Sequence, residues 1–235
     1  MVKNNQLSLS IGGIVPFSTI DYPEHLAAVI FCQGCPFKCH YCHNPDLMQN
    51  NHQTKYQWND IYELLNKRKK FLDAVVFSGG EPTLQKDLPE VINIVKQMGY
   101  KIALHTAGPF PAILEKILPS LDWVGMDVKA PLTQYEQITA TPQGGKNILA
   151  SIKLILNYKI PCEFRTTIHP KLLTNQQILQ IAAELKHLGV TNYTLQRFRA
   201  IGCTNKNLCS DSIIDFPAPE FIDAIAKKFT KFTIV

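Results

Sequence analysis

Two kinds of hydrophobic pattern alternate along the chain. Short runs rich in Val, Ile, Leu and Phe have the length of buried strands, and between them lie longer segments whose apolar residues recur at helical spacing. This alternation predicts a parallel sheet whose strands are connected by crossover helices. The predicted strands cover residues 27–32, 74–77, 101–105, 123–128, 162–168 and 193–198. The predicted helices cover residues 86–98, 111–118, 147–158 and 175–188, with a further helical stretch around 56–66.

The number of these units favours an open barrel. Six strand-and-helix units fit within 235 residues, whereas eight usually need about 250. We therefore expect an α/β fold of the partial (β/α)6 TIM-like barrel type. The loop candidate at residues 139–146 is too short to separate domains. Residues 1–235 are thus expected to form one domain with short terminal extensions, and residues 213–235 to form a loop, a helix and a short strand.

The bulk composition narrows the class of protein. No segment reaches the roughly 18–20 uninterrupted apolar residues of a membrane helix, and the first residues lack the apolar core of a signal peptide. Seven cysteines, an odd number with four close together, fit a reducing compartment, so a cytoplasmic protein without a membrane partner is expected. The formal net charge is +5, and the densest run of basic residues lies at positions 67–70. A solvated helix end explains that run better than direct nucleic-acid binding does.

Three cysteines carry the most informative spacing in the chain. Cys35, Cys39 and Cys42 follow a predicted strand at x3 and then x2 spacing. A four-iron cluster normally takes four thiolates, so three can leave one iron open for a substrate. Cys32 adds a fourth thiol and keeps a structural zinc site open, although zinc sites usually place their two cysteine pairs further apart in sequence. Unligated thiols are the third alternative, and Cys32 itself continues the apolar strand, so a buried position is expected for it.

Other chemistry-bearing residues follow the predicted strands at their C-terminal ends, where ligands gather in parallel α/β folds. Gly79 and Gly80 allow close approach of the backbone to a ligand, although an ordinary turn explains them equally well. Asp127 and Lys129 share one face of an extended segment, and a zwitterionic ligand would supply partners for both. Arg165 suits a carboxylate, with a structural salt bridge as the alternative.

The ordered set of motifs resembles a known enzyme family. Cys35-Pro-Phe-Lys-Cys39-His-Tyr-Cys42 looks like the cluster motif of the radical S-adenosylmethionine superfamily. The segments Cys42-His43-Asn44-Pro45 and Ser78-Gly79-Gly80-Glu81-Pro82 resemble its glycyl-radical-enzyme activase branch. Closer similarity to anaerobic ribonucleoside-triphosphate reductase activating proteins lies in Ile20-Asp21-Tyr22-Pro23, in residues 123–131 and in Phe164-Arg165-Thr166-Thr167. These matches run in order from about residue 11 to residue 203.

The resemblance implies a role for each of these residues. Cys35, Cys39 and Cys42 would bind three irons of one [4Fe-4S] cluster, and the fourth iron would chelate S-adenosylmethionine. Tyr41 would lie near the adenine of that cofactor. The segment Gly79, Gly80, Glu81 and Pro82 would lie against its methionine group, with Glu81 as a structural support rather than an acid. The other residues implied to contact the cofactor are His105, Asp127, Lys129 and Arg165. His105 stands where some activases have an aspartate, which leaves open whether a monovalent cation sits beside the cofactor.

The implied activity is radical oxidoreductase chemistry. Reductive cleavage of S-adenosylmethionine would yield a 5′-deoxyadenosyl radical that abstracts hydrogen from a backbone glycine of a partner, most plainly an anaerobic ribonucleotide reductase. A one-electron donor would be a second partner, and the cysteine-free interval between Cys42 and Gly79 predicts a single cluster. A radical enzyme acting on a small molecule, such as a modified-nucleoside precursor, is the alternative. Cys162, Cys203 and Cys209 are expected to be thiols of the interior or loops, with Cys203 and Cys209 as a possible redox pair.

Overall fold

One sheet forms the framework of the molecule. The computed structural model describes residues 7, 9–49, 56–210, 213 and 215–235. Its strands lie side by side in chain order, the first pair antiparallel and every later pair parallel. They are β1 Ile11–Ser18, β2 Ala27–Cys32, β3 Ala74–Gly79, β4 Lys101–Thr106, β5 Trp123–Asp127, β6 Cys162–Ile168, β7 Asn192–Arg197 and β8 Lys231–Ile234. Because the sheet ends at β1 on one side and β8 on the other, it is an open, partial barrel.

Helices connect the parallel strands. They are α1 Trp58–Arg68, α2 Leu88–Gln97, α3 Pro111–Ile117, α4 Tyr135–Thr139, α5 Lys146–Tyr158, α6 Asn175–His187, α7 Lys206–Cys209 and α8 Pro219–Ala226. α1 ends at the basic run, as expected, and Lys67 Nζ there lies 4.0 Å from Glu63 on an exposed face. In the part of the chain that the structure describes, no helix is long and apolar enough to cross a membrane.

The predicted strands are all present, and the sheet extends beyond them at both edges. β8 is the short C-terminal strand expected from the sequence, and it pairs parallel with β7. β1 was not predicted, because Gly12, Gly13 and Pro16 interrupt its apolar pattern. It adds an antiparallel edge to β2, with breaks in register beside Ile11 and Ser18. The short α4 and α7 were also missed, since a helix of one turn carries little periodic signal.

The two faces of the sheet are filled differently. The outer face packs large side chains such as Ile30, Phe77 and Leu104 against the helices, all fully buried. The inner face carries a second, smaller cluster whose members are mostly alanine and valine, closed at the strand starts by Tyr22 and Trp123. Small residues suit a concave face because curvature crowds the side chains there. The small inner cluster leaves room for a cavity toward the C-terminal ends of the strands.

Candidate active site

A cavity of about 680 Å³ opens at the C-terminal ends of the parallel strands. Its wall is made by the loop after β2 and by the last residues of β3 to β7, as expected for this class of sheet. Ten of the twelve sequence-predicted site residues line this cavity, and the other two, Glu81 and Pro82, do not. The ten are Cys35, Cys39, Tyr41, Cys42, Gly79, Gly80, His105, Asp127, Lys129 and Arg165. One cavity therefore collects residues that are up to 130 positions apart in the sequence (165 − 35).

The loop after β2 is held in place by its own backbone. Gly34 N donates to Leu47 O at 2.8 Å, Cys35 N donates to Met48 O at 3.2 Å, and Lys38 N donates to Thr139 O at 2.8 Å. These bonds anchor both ends of the segment that presents the three thiols. Burial raises the pKa of the Cys35 thiol to about 12, so the free thiol is protonated near neutral pH. A metal ligand set would therefore release protons on binding.

Cys32 is separated from the three thiols of the loop. It is fully buried in the outer hydrophobic core and does not line the cavity. Among the residues that the structure describes, no three His, Cys, Asp or Glu side chains are arranged to hold a metal ion. An iron–sulfur cube is larger than one ion and takes thiolates at its corners. The donor set of three cavity-lining thiols thus fits a cluster better than the zinc site that required Cys32.

Gly79 and Gly80 lie where a side chain would collide with the base of the cysteine loop. Gly79 has φ of +111°, and a Cβ there would lie 2.5 Å from the backbone N of Cys32. A Cβ on Gly80 would meet the carbonyl O of Gly34. Gly80 N also donates to Cys32 O at 2.8 Å. The two glycines therefore let the end of β3 pack against the cysteine loop and expose backbone to the cavity.

Glu81 ties two cavity-lining turns together from behind. Its carboxylate is 1% exposed and accepts hydrogen bonds from Thr83 N at 3.0 Å, Thr83 Oγ1 at 2.6 Å, Thr106 Oγ1 at 2.7 Å and Ala107 N at 2.9 Å. Burial raises the pKa of Glu81, although these four donors oppose that effect. Pro82 begins a buried turn beside it. Glu81 therefore supports the wall, as the sequence suggested, and contact of Glu81 and Pro82 with the cofactor stays a prediction.

A charged cluster forms the wall on the β5 and β6 side. Asp127 Oδ1 accepts from Arg165 Nε at 3.1 Å, and Asp127 Oδ2 lies 3.4 Å from Lys129 Nζ. Lys129 Nζ also lies 5.5 Å from the centre of the Tyr41 ring, a cation–π arrangement. Burial alone would raise the pKa of Asp127, but the charges of Arg165 and Lys129 outweigh it and lower that pKa. One carboxylate shared by two cations leaves positive charge facing the cavity, which suits the carboxylate of an amino-acid ligand.

His105 belongs to the same wall and is held neutral. Its Nε2 lies 2.8 Å from the carbonyl O of Asp21, so Nε2–H donates there, and its Nδ1 lies 3.5 Å from Ser78 Oγ. Burial, followed by the charge of Arg165, lowers the pKa of His105 to about 4. The side chain therefore joins the residues before β2 to the sheet as a neutral hydrogen-bonding group.

Several cavity residues were not singled out from the sequence. They sit at the ends of the last two inner strands or just after them: Thr167, Gln196, Arg197 and Arg199. Their location in the sequence would have indicated them, because polar residues at the C-terminal ends of parallel strands meet at one edge of the sheet. Gln196 and Arg197 lie at the C-terminal end of the predicted strand 193–198, so the same rule places them in the site.

The loop after β7 is fastened to the cysteine loop. His43 Nε2 lies 2.9 Å from the carbonyl O of Arg199, and the His43 ring stacks on Phe198. Cys203 Sγ lies 3.9 Å from the carbonyl O of His40. Cys209 Sγ lies 3.6 Å from the carbonyl O of Cys203, and both thiols are free. A redox role for this pair stays a prediction.

The family of the protein follows from comparison with known proteins. The model of the radical SAM superfamily matches residues 29–185, a span that includes the cysteine loop and the charged cluster. The chain belongs to this superfamily and is a radical SAM enzyme.

Particular relatives narrow the class further. A Methanocaldococcus jannaschii protein, provisionally named a glycyl-radical enzyme activating enzyme, is 32% identical over 96% of this chain and 95% of its own. The pyruvate formate-lyase-activating enzyme of Clostridium pasteurianum is 29% identical over 82% of this chain and 83% of its own. SuiB from Streptococcus suis shares the fold at a TM-score of 0.69 with 13% identity. The match covers 99% of this chain and 50% of SuiB.

The cofactors of the superfamily are a [4Fe-4S] cluster and S-adenosylmethionine. The residues present fit both groups. Three thiols line the cavity without a fourth, Gly79 and Gly80 leave backbone where a side chain would collide, and Asp127 with Lys129 and Arg165 offers charges of both signs to a zwitterion.

Proposed function

We propose that this protein is a glycyl-radical-enzyme activating enzyme whose partner is an anaerobic ribonucleoside-triphosphate reductase. The activase role is supported by the similarity to the M. jannaschii protein, which extends over nearly the whole of both chains. The choice of partner rests on the sequence motifs at residues 20–23, 123–131 and 164–167. The seven cysteines, free where the structure describes them, are consistent with action in a reducing cytoplasm. We further propose that residues 1–235 act as one domain, because a single sheet contains the eight strands of the part of the chain that the structure describes.

Each part of the cavity wall has a proposed task. Cys35, Cys39 and Cys42 would hold the cluster, which when bound supplies the electron that cleaves the sulfonium carbon–sulfur bond of S-adenosylmethionine. Lys129 and Arg165 would hold the methionine carboxylate through charge-assisted hydrogen bonds, while Asp127 would keep both cations oriented and accept from a ligand donor.

The remaining wall residues would orient the adenosine and exclude competing donors. Tyr41 is buried beneath Lys129, so its ring would contact the adenosine side while remaining fixed. The backbone of Gly79 and Gly80 would accept from the cofactor amino group, since carbonyls at a turn can approach a ligand closely. His105 is neutral near pH 7 and would hold the segment between β1 and β2 through the carbonyl O of Asp21. These residues position the cofactor, and hydrogen transfer from the partner glycine depends on that positioning.

The test is anaerobic reconstitution with iron and sulfide, followed by reduction and assay of 5′-deoxyadenosine with and without the purified reductase. We expect deoxyadenosine together with a glycyl radical in the reductase, detected by electron paramagnetic resonance. Cys35→Ala, Cys39→Ala and Cys42→Ala should each abolish cleavage. The matched control is Cys162→Ala, because that thiol is half-buried but does not line the cavity. Deoxyadenosine without a radical in the reductase would contradict the partner assignment, and turnover in all three variants would contradict the cluster assignment.

A further inference from the structure

We infer that Trp123 forms the floor of the cofactor cavity and positions Arg165 from below, on the side of the strand starts. Trp123 has no part in the site described so far. Its role rests on the proposed task of Arg165, which is to hold the methionine carboxylate, and not on the choice of partner. Trp123 acts through Arg165 and is therefore a positioning residue.

Trp123 points inward at the start of β5. Side chains alternate along a strand, and Val124 and Met126 are fully buried in the outer core. Trp123, Gly125 and Asp127 therefore share the inner face, in successive layers toward the C-terminal end of the strand. Asp127 lines the cavity, and Trp123 belongs to the small inner cluster below it.

The missing side chain of Gly125 lets the Trp123 ring and the Arg165 guanidinium approach one another. A Cβ on Gly125 would lie 2.7 Å from Trp123 Cη2 and 2.9 Å from Trp123 Cζ3. The same Cβ would lie 2.9 Å from Arg165 Cζ, and Arg165 Nη2 lies 3.5 Å from Gly125 O. Ring and guanidinium therefore share the space over one glycine, the ring from below and the guanidinium from the neighbouring strand.

Trp123 also separates two cavities. The second cavity, of about 460 Å³, opens at the starts of β5 to β8, and Trp123 lines it. Arg165 and His105 line the upper cavity and not this one. The Trp123 ring lies beside both, because its centre is 5.6 Å from that of His105 and it shares the space over Gly125 with Arg165. The Trp123 side chain, 6% exposed, thus lies between the cofactor cavity and the second cavity.

The Trp123 ring gives Arg165 a fixed surface to rest on. Tyr22 stacks on the ring with the two centres 5.8 Å apart, which holds the indole from the other side. Arg165 Nε donates to Asp127 at 3.1 Å, so the guanidinium is bounded by a carboxylate and by the ring below it. A guanidinium binds a carboxylate through aligned hydrogen bonds. A smaller side chain at position 123 would let Arg165 shift downward and would weaken that alignment.

The experiment measures binding of S-adenosylmethionine to the reconstituted enzyme by equilibrium titration, without the reductase. Trp123→Ala should raise the Kd about tenfold, because Arg165 loses its support and part of its alignment. Trp123→Phe keeps a smaller ring, leaves a smaller cavity and should raise the Kd about threefold, which keeps the test available if Trp123→Ala does not fold. Gly125→Ala should also raise the Kd about tenfold, since the new Cβ displaces the ring or the guanidinium.

Added indole separates support of Arg165 from general stability. Trp123→Ala leaves a cavity of the shape of indole, and such cavities can bind small aromatic molecules. Saturating indole should return the Kd of Trp123→Ala to within about twofold of wild type and leave wild type unchanged. Trp58→Ala is the matched control, because Trp58 is the other tryptophan of the chain, is 3% exposed and lines neither cavity. Its Kd should stay within about twofold of wild type with or without indole.

Arg165→Ala, titrated in parallel, separates the positioning role from the task on which it rests. If Arg165→Ala binds S-adenosylmethionine as wild type does, the proposed task of Arg165 fails and the role of Trp123 fails with it. The activase assignment is then untouched, because radical formation in the reductase tests it separately. If Arg165→Ala binds weakly while Trp123→Ala and Trp123→Phe bind as wild type does, the role of Trp123 alone is overturned. A weakened Trp123→Ala that indole does not restore, or an equal loss of affinity in Trp58→Ala, would show a structural role and overturn it as well.

Discussion

The most quantitative prediction concerns Glu81, which supports the cavity wall from behind. In Glu81→Gln, one carboxylate oxygen becomes an NH2 group. Either orientation of the new amide turns that donor toward a backbone amide, of Thr83 or of Ala107, that now donates to the carboxylate. The loss of one charge-assisted hydrogen bond costs about 1.5–3 kcal/mol, and an unsatisfied buried N–H adds to it. We expect Glu81→Gln to lower the free energy of unfolding by about 2–4 kcal/mol.

The assay is urea unfolding of the reconstituted protein under anaerobic conditions, at equal iron content for each variant. In a thermal unfolding scan of the same samples, 1 kcal/mol corresponds to roughly 2–4 °C for a chain of this size, so the melting temperature of Glu81→Gln should fall by about 5–15 °C. Glu115→Gln makes the same chemical change on an exposed position of α3 and should stay within about 0.5 kcal/mol of wild type. If Glu81→Gln were as stable as Glu115→Gln, the hydrogen bonds from the two turns to Glu81 would contribute little to the free energy of unfolding. That result would refute the role assigned to Glu81.

Three further predictions concern the wall itself. Asp127→Ala or Lys129→Ala should weaken S-adenosylmethionine binding about tenfold or more in a titration while iron content stays near wild type, and a loss of iron would point to folding instead. The pKa of His105 is lowered from 6.5 to about 4, so between these pH values the unfolded chain binds more protons than the folded protein does. The free energy of unfolding is therefore highest above about pH 6.5 and falls by at most about 3 kcal/mol as the pH drops to 4. His105→Asn should flatten this part of a plot of urea midpoint against pH, and an unchanged plot would count against the assignment. Gly79→Ala should cost about 2–3 kcal/mol or more in urea unfolding, because φ is +111° and the new Cβ would lie 2.5 Å from Cys32 N, and a neutral effect would contradict that geometry.

Much of the site was predictable because it follows from local patterns. The spacing of the cysteines, the strand before them and the polar residues at later strand ends all placed the chemistry at one edge of a parallel sheet. Asp127 and Lys129 were expected to share a face from the two-residue period of a strand, and the structure places them 3.4 Å apart. The burial of Cys32 was expected from the apolar run that it continues, and its side chain is 0% exposed.

The sequence by itself determined the order of the strands β2 to β7 and of the longer helices between them, the identity of the thiol loop and the edge at which the site forms, since these depend on residues close together in the chain. Only the tertiary structure decided which distant side chains meet. The register of β5 against β6 places Asp127 opposite Arg165, and the register of β6 against β7 places Thr167 opposite Gln196. Strand register is set by pairing and packing across the whole sheet, and a shift of one residue would turn each of these side chains to the other face.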